Sequence, residues 1–174
     1  MFTRPENNLE NFKIDHGQIV ADFGAGIGAY SLAMARQVGD SGKVYAIDVQ
    51  KDLLGRLSKE ASRLKISNIE VIWGDVEKVG GSKLPDRSAD LVLISNILFQ
   101  SHAKYSILKE AKRILKPGGR LVIIDWEDSF NNLGPEKGAI IKPEEIEKIV
   151  NELGLKILKK FNAGDHHYGL IYTL

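Results

Sequence analysis

Residues 19–35 read IVADFGAGIGAYSLAMA. A short apolar run ends in an acid, Asp22, and three glycines follow within five residues, at 24, 26 and 28. A run of four to eight apolar residues bounded by glycine suits a strand buried on both faces, and the stretch 29–38 that follows has the composition of a helix. The segment therefore reads as strand, tight turn, helix. The glycines let a ligand come close to the backbone at the helix start.

The same alternation continues outward. KVYAID at 43–48 reads as a second strand. A helix is expected over 51–64, with Leu53, Leu57, Ala61 and Leu64 on one face. Residues 69–73 and ADLVLIS at 89–95 give the third and fourth strands. A helix with Tyr105, Leu108, Ala111 and Leu115 on one face comes next, and KPGG at 116–119 is expected to stop it. RLVIIDW at 120–126 is the fifth strand. Residues 126–142 show no period and read as a loop on the substrate side. A last helix begins at KPEE, with Ile146, Ile149, Val150 and Leu153 inward, and closes at Gly154. Residues 155–174 read as two strands around AGDHH. Alternating strands and helices imply an α/β fold with an open parallel sheet, whose ligands lie beyond the carboxyl ends of the strands.

Composition narrows the function. The chain of 174 residues is 43% hydrophobic and 27% charged, with a net charge of +1. Its length suits one domain over 1–174, with residues 1–17 a short segment anchored by Leu9, Phe12 and Ile14. Near-neutral charge and the lack of a basic, aromatic-interleaved patch count against nucleic acid as partner. There is no cysteine, which excludes disulfides, thiol nucleophiles and thiolate metal sites. No run reaches the roughly 18 apolar residues of a membrane span, and the polar N-terminus is unlike a signal peptide, so a cytoplasmic protein is expected.

Two ligands compete for the glycine loop. Gly24, Gly26 and Ala29 match G-x-G-x-x-G/A, and Asp48 lies 24 residues after Gly24, where an acid holds a ribose. An NAD-dependent oxidoreductase has these features. Asp22, two residues before the first glycine, would repel a pyrophosphate but attract an ammonium. Asp75, after the third strand, suits the adenine amino group, with Val76 packing on the ring. Asp48 offers two oxygens to ribose hydroxyls. The acids favour a cationic sulfur nucleoside.

VADFGAGIG, VYAIDV, WGDVEK, DRSADLVLISNIL and EAKRILKPGGRLVIID, in this order between Gln18 and Asp125, resemble the class I S-adenosylmethionine-dependent methyltransferases. ILKPGGRLVIIDW and the later GPEKGAIIKPEEIEKIVNELG are most similar to the small branch near the ubiquinone/menaquinone-biosynthesis enzymes. The resemblance implies a Rossmann-like three-layer αβα sandwich. Its seven-stranded sheet has order 3-2-1-4-5-7-6, with strand 7 antiparallel. It also implies S-adenosylmethionine as cofactor, held by Asp22, Gly24, Ala25, Gly26, Asp48, Val49, Asp75, Val76, Ser95 and Asn96.

In-line transfer from a sulfonium releases a neutral leaving group, so neither a metal nor a leaving-group acid is required, and orientation is the main task. A base is needed only where the acceptor must lose a proton. His102 is the candidate. Phe99, Trp126, Phe130 and Tyr168 are candidates for the acceptor wall. Two adjacent histidines, 166 and 167, would point opposite ways in a strand and make a poor metal pair, so no metal site is expected. SNIL after the fourth strand stands where amino-group nucleic-acid methyltransferases of one large branch carry Pro-Pro-aromatic. Arsenite and cytosine C5 methylation use cysteines. A small organic acceptor remains. A non-enzymatic cofactor-binding subunit and completion of the pocket by a second copy, as a homodimer, stay open.

Overall fold

The computed structural model describes residues 5–129 and 134–174. Helix α1 (Pro5–Phe12) precedes β1 (Ile19–Phe23), α2 (Ala29–Val38), β2 (Lys43–Asp48), α3 (Lys51–Arg63), β3 (Ile69–Trp73) and β4 (Ala89–Ser95). Then come α4 (Lys104–Ile114), β5 (Leu115–Trp126), α5 (Pro143–Glu152), β6 (Lys156–Gly164) and β7 (His167–Thr173). The strands form one sheet of order β3-β2-β1-β4-β5-β7-β6. β1 to β5 pair in parallel, while β7 runs antiparallel to both β5 and β6. This is the order and the reversed strand expected from the sequence.

Each face of the sheet carries its own core. Leu9, Phe12, Tyr30, Met34 and Val38 of α1 and α2 pack with Val20, Leu91, Leu93, Val122 and Ile124 on one face. Ile107, Leu108, Ala111 and Ile114 of α4, with Ile146 and Val150 of α5, cover Ala21, Phe23, Val92, Ile94 and Ile123 on the other. Successive strand residues face opposite ways, so the central strands are buried on both sides and read as unbroken apolar runs.

Three elements differ from the expectation. Tyr105 is 47% exposed, and α4 turns Ile107, Leu108, Glu110, Ala111 and Ile114 inward instead. The apolar stripe lies one column round the helix because a buried acid shares it. Glu110 is fully buried and accepts hydrogen bonds from the backbone N–H groups of Gly80 and Ser82 and from the Ser82 hydroxyl. Arg113 Nη2 lies 2.7 Å from its Oε1. Second, KPGG lies inside β5. Gly118 takes φ +76°, its N–H donates to the Leu174 carbonyl, and the Leu174 N–H donates to Gly119, so the turn is stitched to the end of β7. Third, residues 5–12, read only as an anchoring segment, form α1, tied down by Asn8 to the Tyr30 hydroxyl and the Ala163 carbonyl.

Strand order reverses between β1 and β4, and the loops leaving their carboxyl ends diverge there to open a crevice.

Candidate functional site

The glycine loop is fastened to β2. The N–H groups of Gly24 and Ala25 both donate to the Ile47 carbonyl, at 2.9 and 3.0 Å. The Gly26 N–H donates to Asp48 Oδ2 at 2.9 Å, and the Gln50 N–H to Asp48 Oδ1 at 2.8 Å. One carboxylate at the end of β2 thus fixes both its own turn and the neighbouring loop. Gly28 begins α2 at φ +84°, with a Cβ at that position only 2.2 Å from Leu57. Gly26, at φ +57°, has nothing within 4 Å of where a Cβ would stand. The first glycine is required by packing. The second leaves an open approach to the backbone.

A cleft of about 440 Å³ lies beside this loop. Gly24, Asp48, Val49, Asp75 and Val76 line it as the sequence suggested, and Ile97, Gln50, Glu77, Gln100 and Ser101 join them. Glu77 accepts the Ser101 hydroxyl at 2.6 Å and so links the turn after β3 to the loop after β4. The sequence reading missed these five, and Ile47, Gly74 and Ile107 as well. The signal of the five was position alone, since each follows a strand end by a few residues. The Asp75 carboxyl is held below the usual range by Lys78, and its Oδ1 accepts the Glu77 N–H. Three acids and no lysine, arginine or histidine line the cleft among the described residues.

Other expected site residues lie elsewhere. Asp22 is 2% exposed and sits beneath the loop, not at its mouth, with Ser31 Oγ donating to it at 2.6 Å. Burial pushes its carboxyl up to about 6, the Ser31 hydrogen bond opposes this, and Asp48 adds to the rise. Ala25 and Gly26 are absent from the cleft lining, although their N–H groups donate to Ile47 and Asp48, which line it. Ser95 and Asn96 are absent from its lining. Asn96 is left-handed at φ +56°, and its Oδ1 is buried without a partner.

Phe99 and His102 border a second cavity of about 430 Å³, which shares Gln100 and Ser101 with the first and is lined on its far side by Glu136 and residues 138–141. His102 is exposed. Asp125, fully buried at the end of β5, holds this wall: its Oδ2 accepts the N–H groups of Leu98 and Phe99, and its Oδ1 accepts that of Trp126. Burial pushes Asp125 up to about 6 against those three bonds. Tyr168, expected on the acceptor wall, is 7% exposed and packs in the core, where its hydroxyl donates to the Ile141 carbonyl. It supports the wall from behind. Trp126 is partly exposed at the carboxyl edge. Phe130 lies outside the described residues. His166 sits in the β6–β7 turn at φ +65°, paired with Asp128, while His167 begins β7. Among the described residues no group of three or more histidine, aspartate or glutamate side chains is placed to hold a metal ion. No helix among them is long and apolar enough to cross a membrane.

Comparison with other proteins agrees with this geometry. A structure of a SAM dependent methyltransferase from Aquifex aeolicus superposes with a TM-score of 0.87 at 29% identity, covering 98% of this chain and 89% of that one. The chain is 34% identical over 117 residues to the ubiquinone/menaquinone biosynthesis C-methyltransferase of Escherichia fergusonii, covering 65% of this chain and 44% of that protein. It is 28% identical over 120 residues to the demethylmenaquinone methyltransferase of a Geobacillus species, covering 69% of this chain and 50% of that protein. The chain spans about half the length of these curated relatives. The family model described as a methyltransferase domain matches residues 14–161, and the chain belongs to that family.

Proposed function

We propose that residues 1–174 act as one methyltransferase domain, binding S-adenosylmethionine in the 440 Å³ cleft and methylating a small organic acceptor in the adjoining cavity. The acid-lined cleft carries this reading. Asp48, Asp75 and Glu77 face it with no cationic side chain among the described lining; Lys78, outside the lining, pairs with Asp75, and the net acidic surface that remains suits a ligand bearing positive charge over a pyrophosphate. The NAD reading loses support on the same ground.

The donor set fits the cofactor. Asp48 offers the remaining lone pairs of both oxygens to ribose hydroxyls. Asp75 stands at the adenine end with Val49 and Val76. The open space over Gly26 admits the backbone-hugging portion. When bound, S-adenosylmethionine supplies an electrophilic methyl whose departure from sulfur leaves a neutral thioether. The chain contributes orientation and the exclusion of water. Gln100 and Ser101, shared by the two cavities, divide cofactor from acceptor. Asp125 fixes the 98–99 backbone that carries this partition.

Calorimetry with S-adenosylhomocysteine and with NADH tests the reading. Saturable binding of the former alone is expected. Binding of NADH in its place, or of neither by folded protein, overturns it. Cofactor binding without turnover on any extract of small molecules would instead favour a non-enzymatic subunit.

A further inference from the structure

The second cavity carries unlike charges on its two walls. Its near wall is the loop after β4 with the start of α4, which brings His102 and Lys104. Its far wall is the segment ahead of α5 with the first turn of that helix, which brings Glu136 and Glu145. Phe99, Ile140 and Ile141 supply its apolar surface.

These charges are oriented but not used up. Lys104 is half-buried, and its Nζ donates to the Ser101 carbonyl at 2.5 Å, which folds the side chain back along the loop. An ammonium has three donors, so two remain. Burial dominates the Asp125 carboxyl behind the loop, yet Lys104 draws that carboxyl downward, so its charge stands close over this wall. Lys104 opens α4, where a cation opposes the helix dipole, and helix stability does not account for it. Across the cavity, Glu145 Oε1 accepts the Lys142 N–H at 3.3 Å, which leaves its second oxygen for another donor. Lys137 and Lys142 flank the glutamates in sequence but do not line the cavity. Among the described residues no ion pair joins Lys104 to either glutamate, and the cavity keeps the two signs apart.

We propose that the acceptor is a zwitterion, a small molecule bearing both a carboxylate and an ammonium group. Its carboxylate lies toward Lys104 and His102 and its ammonium toward Glu136 and Glu145. The inference rests on the methyl-transfer reading above. Unlike charges held apart by a cavity are completed by a ligand that carries both, each end bound by a charge-assisted hydrogen bond. A ligand with one charge leaves the opposite wall uncompensated, and a neutral ring leaves both. The two ends also fix the direction in which the acceptor lies, and so the face it turns to Gln100 and Ser101, where the first cleft begins.

The full chain, saturated with S-adenosylhomocysteine, is titrated by saturation-transfer NMR with glycine and γ-aminobutyrate. Butylamine and butyrate, which each keep one of the two charges, are the comparison. The tighter of the two zwitterions is expected to bind about tenfold better than either singly charged probe. Lys104→Gln should erase the preference over butylamine. Glu136→Gln combined with Glu145→Gln should erase the preference over butyrate, and a carboxamide at 145 still accepts the Lys142 N–H, so α5 keeps its start. S-adenosylhomocysteine affinity is unchanged in both variants. Zwitterions that bind the loaded wild type no better than the singly charged probes, or not at all, overturn the proposal and leave the methyl-transfer reading standing. So does the wild-type preference retained in either folded variant. Failure of the wild type to bind S-adenosylhomocysteine overturns both. Where a variant does not fold, the ranking of the four probes on the wild type decides.

Discussion

Asp48 Oδ2 lies 2.9 Å from the Gly26 backbone nitrogen, tying the end of β2 to the loop that leaves β1. The same carboxylate faces the cleft, so it shapes the loop and lies open to the ligand proposed there. Asp48→Ala removes a ligand partner and unties Gly26 and Gln50. Calorimetry should show S-adenosylhomocysteine bound about 1–3 kcal/mol more weakly, and wild-type affinity would remove Asp48 from the site.

Gly26 and Gly28 should separate binding from folding. Gly28→Ala drives a Cβ to 2.2 Å from Leu57 and forces a side chain into φ +84°, so a loss of about 1–3 kcal/mol in stability is expected by urea denaturation. Gly26→Ala meets no atom within 4 Å and pays only backbone strain of about 1–2 kcal/mol, but its methyl enters the open approach to the loop. It should lose less stability than Gly28→Ala and yet bind S-adenosylhomocysteine poorly. The reverse ranking would place the ligand elsewhere.

Asp125 gives stability a pH dependence of known sign. Its carboxyl titrates near 6 when folded, against 3.8 as the ordinary value, so the folded chain holds a proton that the unfolded chain has released. Stability from this group therefore falls as pH rises from about 4 to about 6, by roughly 2–3 kcal/mol, and is level above that window. Asp22, also pushed up to about 6, acts in the same window with the same sign, so Asp125→Asn should shrink the slope of the urea-midpoint profile there without abolishing it. An unchanged slope would show that Asp125 titrates normally.

Glu110 behaves oppositely. Burial pushes it up, but Arg113, Ser82 and the Gly80 and Ser82 N–H groups outweigh that and hold it at about 2, below its ordinary 4.5. Its contribution is complete above about 4.5 and is lost as pH falls through about 2. Glu110→Gln should cost about 1–3 kcal/mol at neutral pH, since it removes the buried member of the pair and leaves Arg113 with the exposed Asp86 alone. The gap from wild type should narrow in acid. A gap that persists at low pH would assign the loss to packing.

The strands were legible because both faces of the central sheet are covered, which turns each into an apolar run of fixed length. The acids at strand ends were legible by position: Asp48 and Asp75 follow β2 and β3 directly and line the cleft. Asp22 also follows that rule by position, yet Ser31, nine residues on, draws it beneath the loop, a contact that no local pattern encodes. Tyr168 failed as a wall residue for a related reason. In β7 alternate residues face the two cores, and only the register with β5 decides which. The α4 face was misread because helical period treats Glu110 as a surface charge, whereas Arg113 and the residue 80–82 turn neutralise it inside. Gln100, Ser101 and Glu77 carry no motif. They enter the site because the loops after β3 and β4 meet across the crevice.

Gln100 and Ser101, which line both cavities, belong to a loop anchored from below by Asp125 and from the side by Glu77, not to the paired part of any strand. On the proposed reading, substrate preference is thereby uncoupled from the framework. A library confined to Phe99, His102, Glu136, Gly138, Ala139 and Ile140, which line the second cavity alone and belong to neither core, could retune which molecule is modified while the sheet, both cores and the first cleft stay untouched.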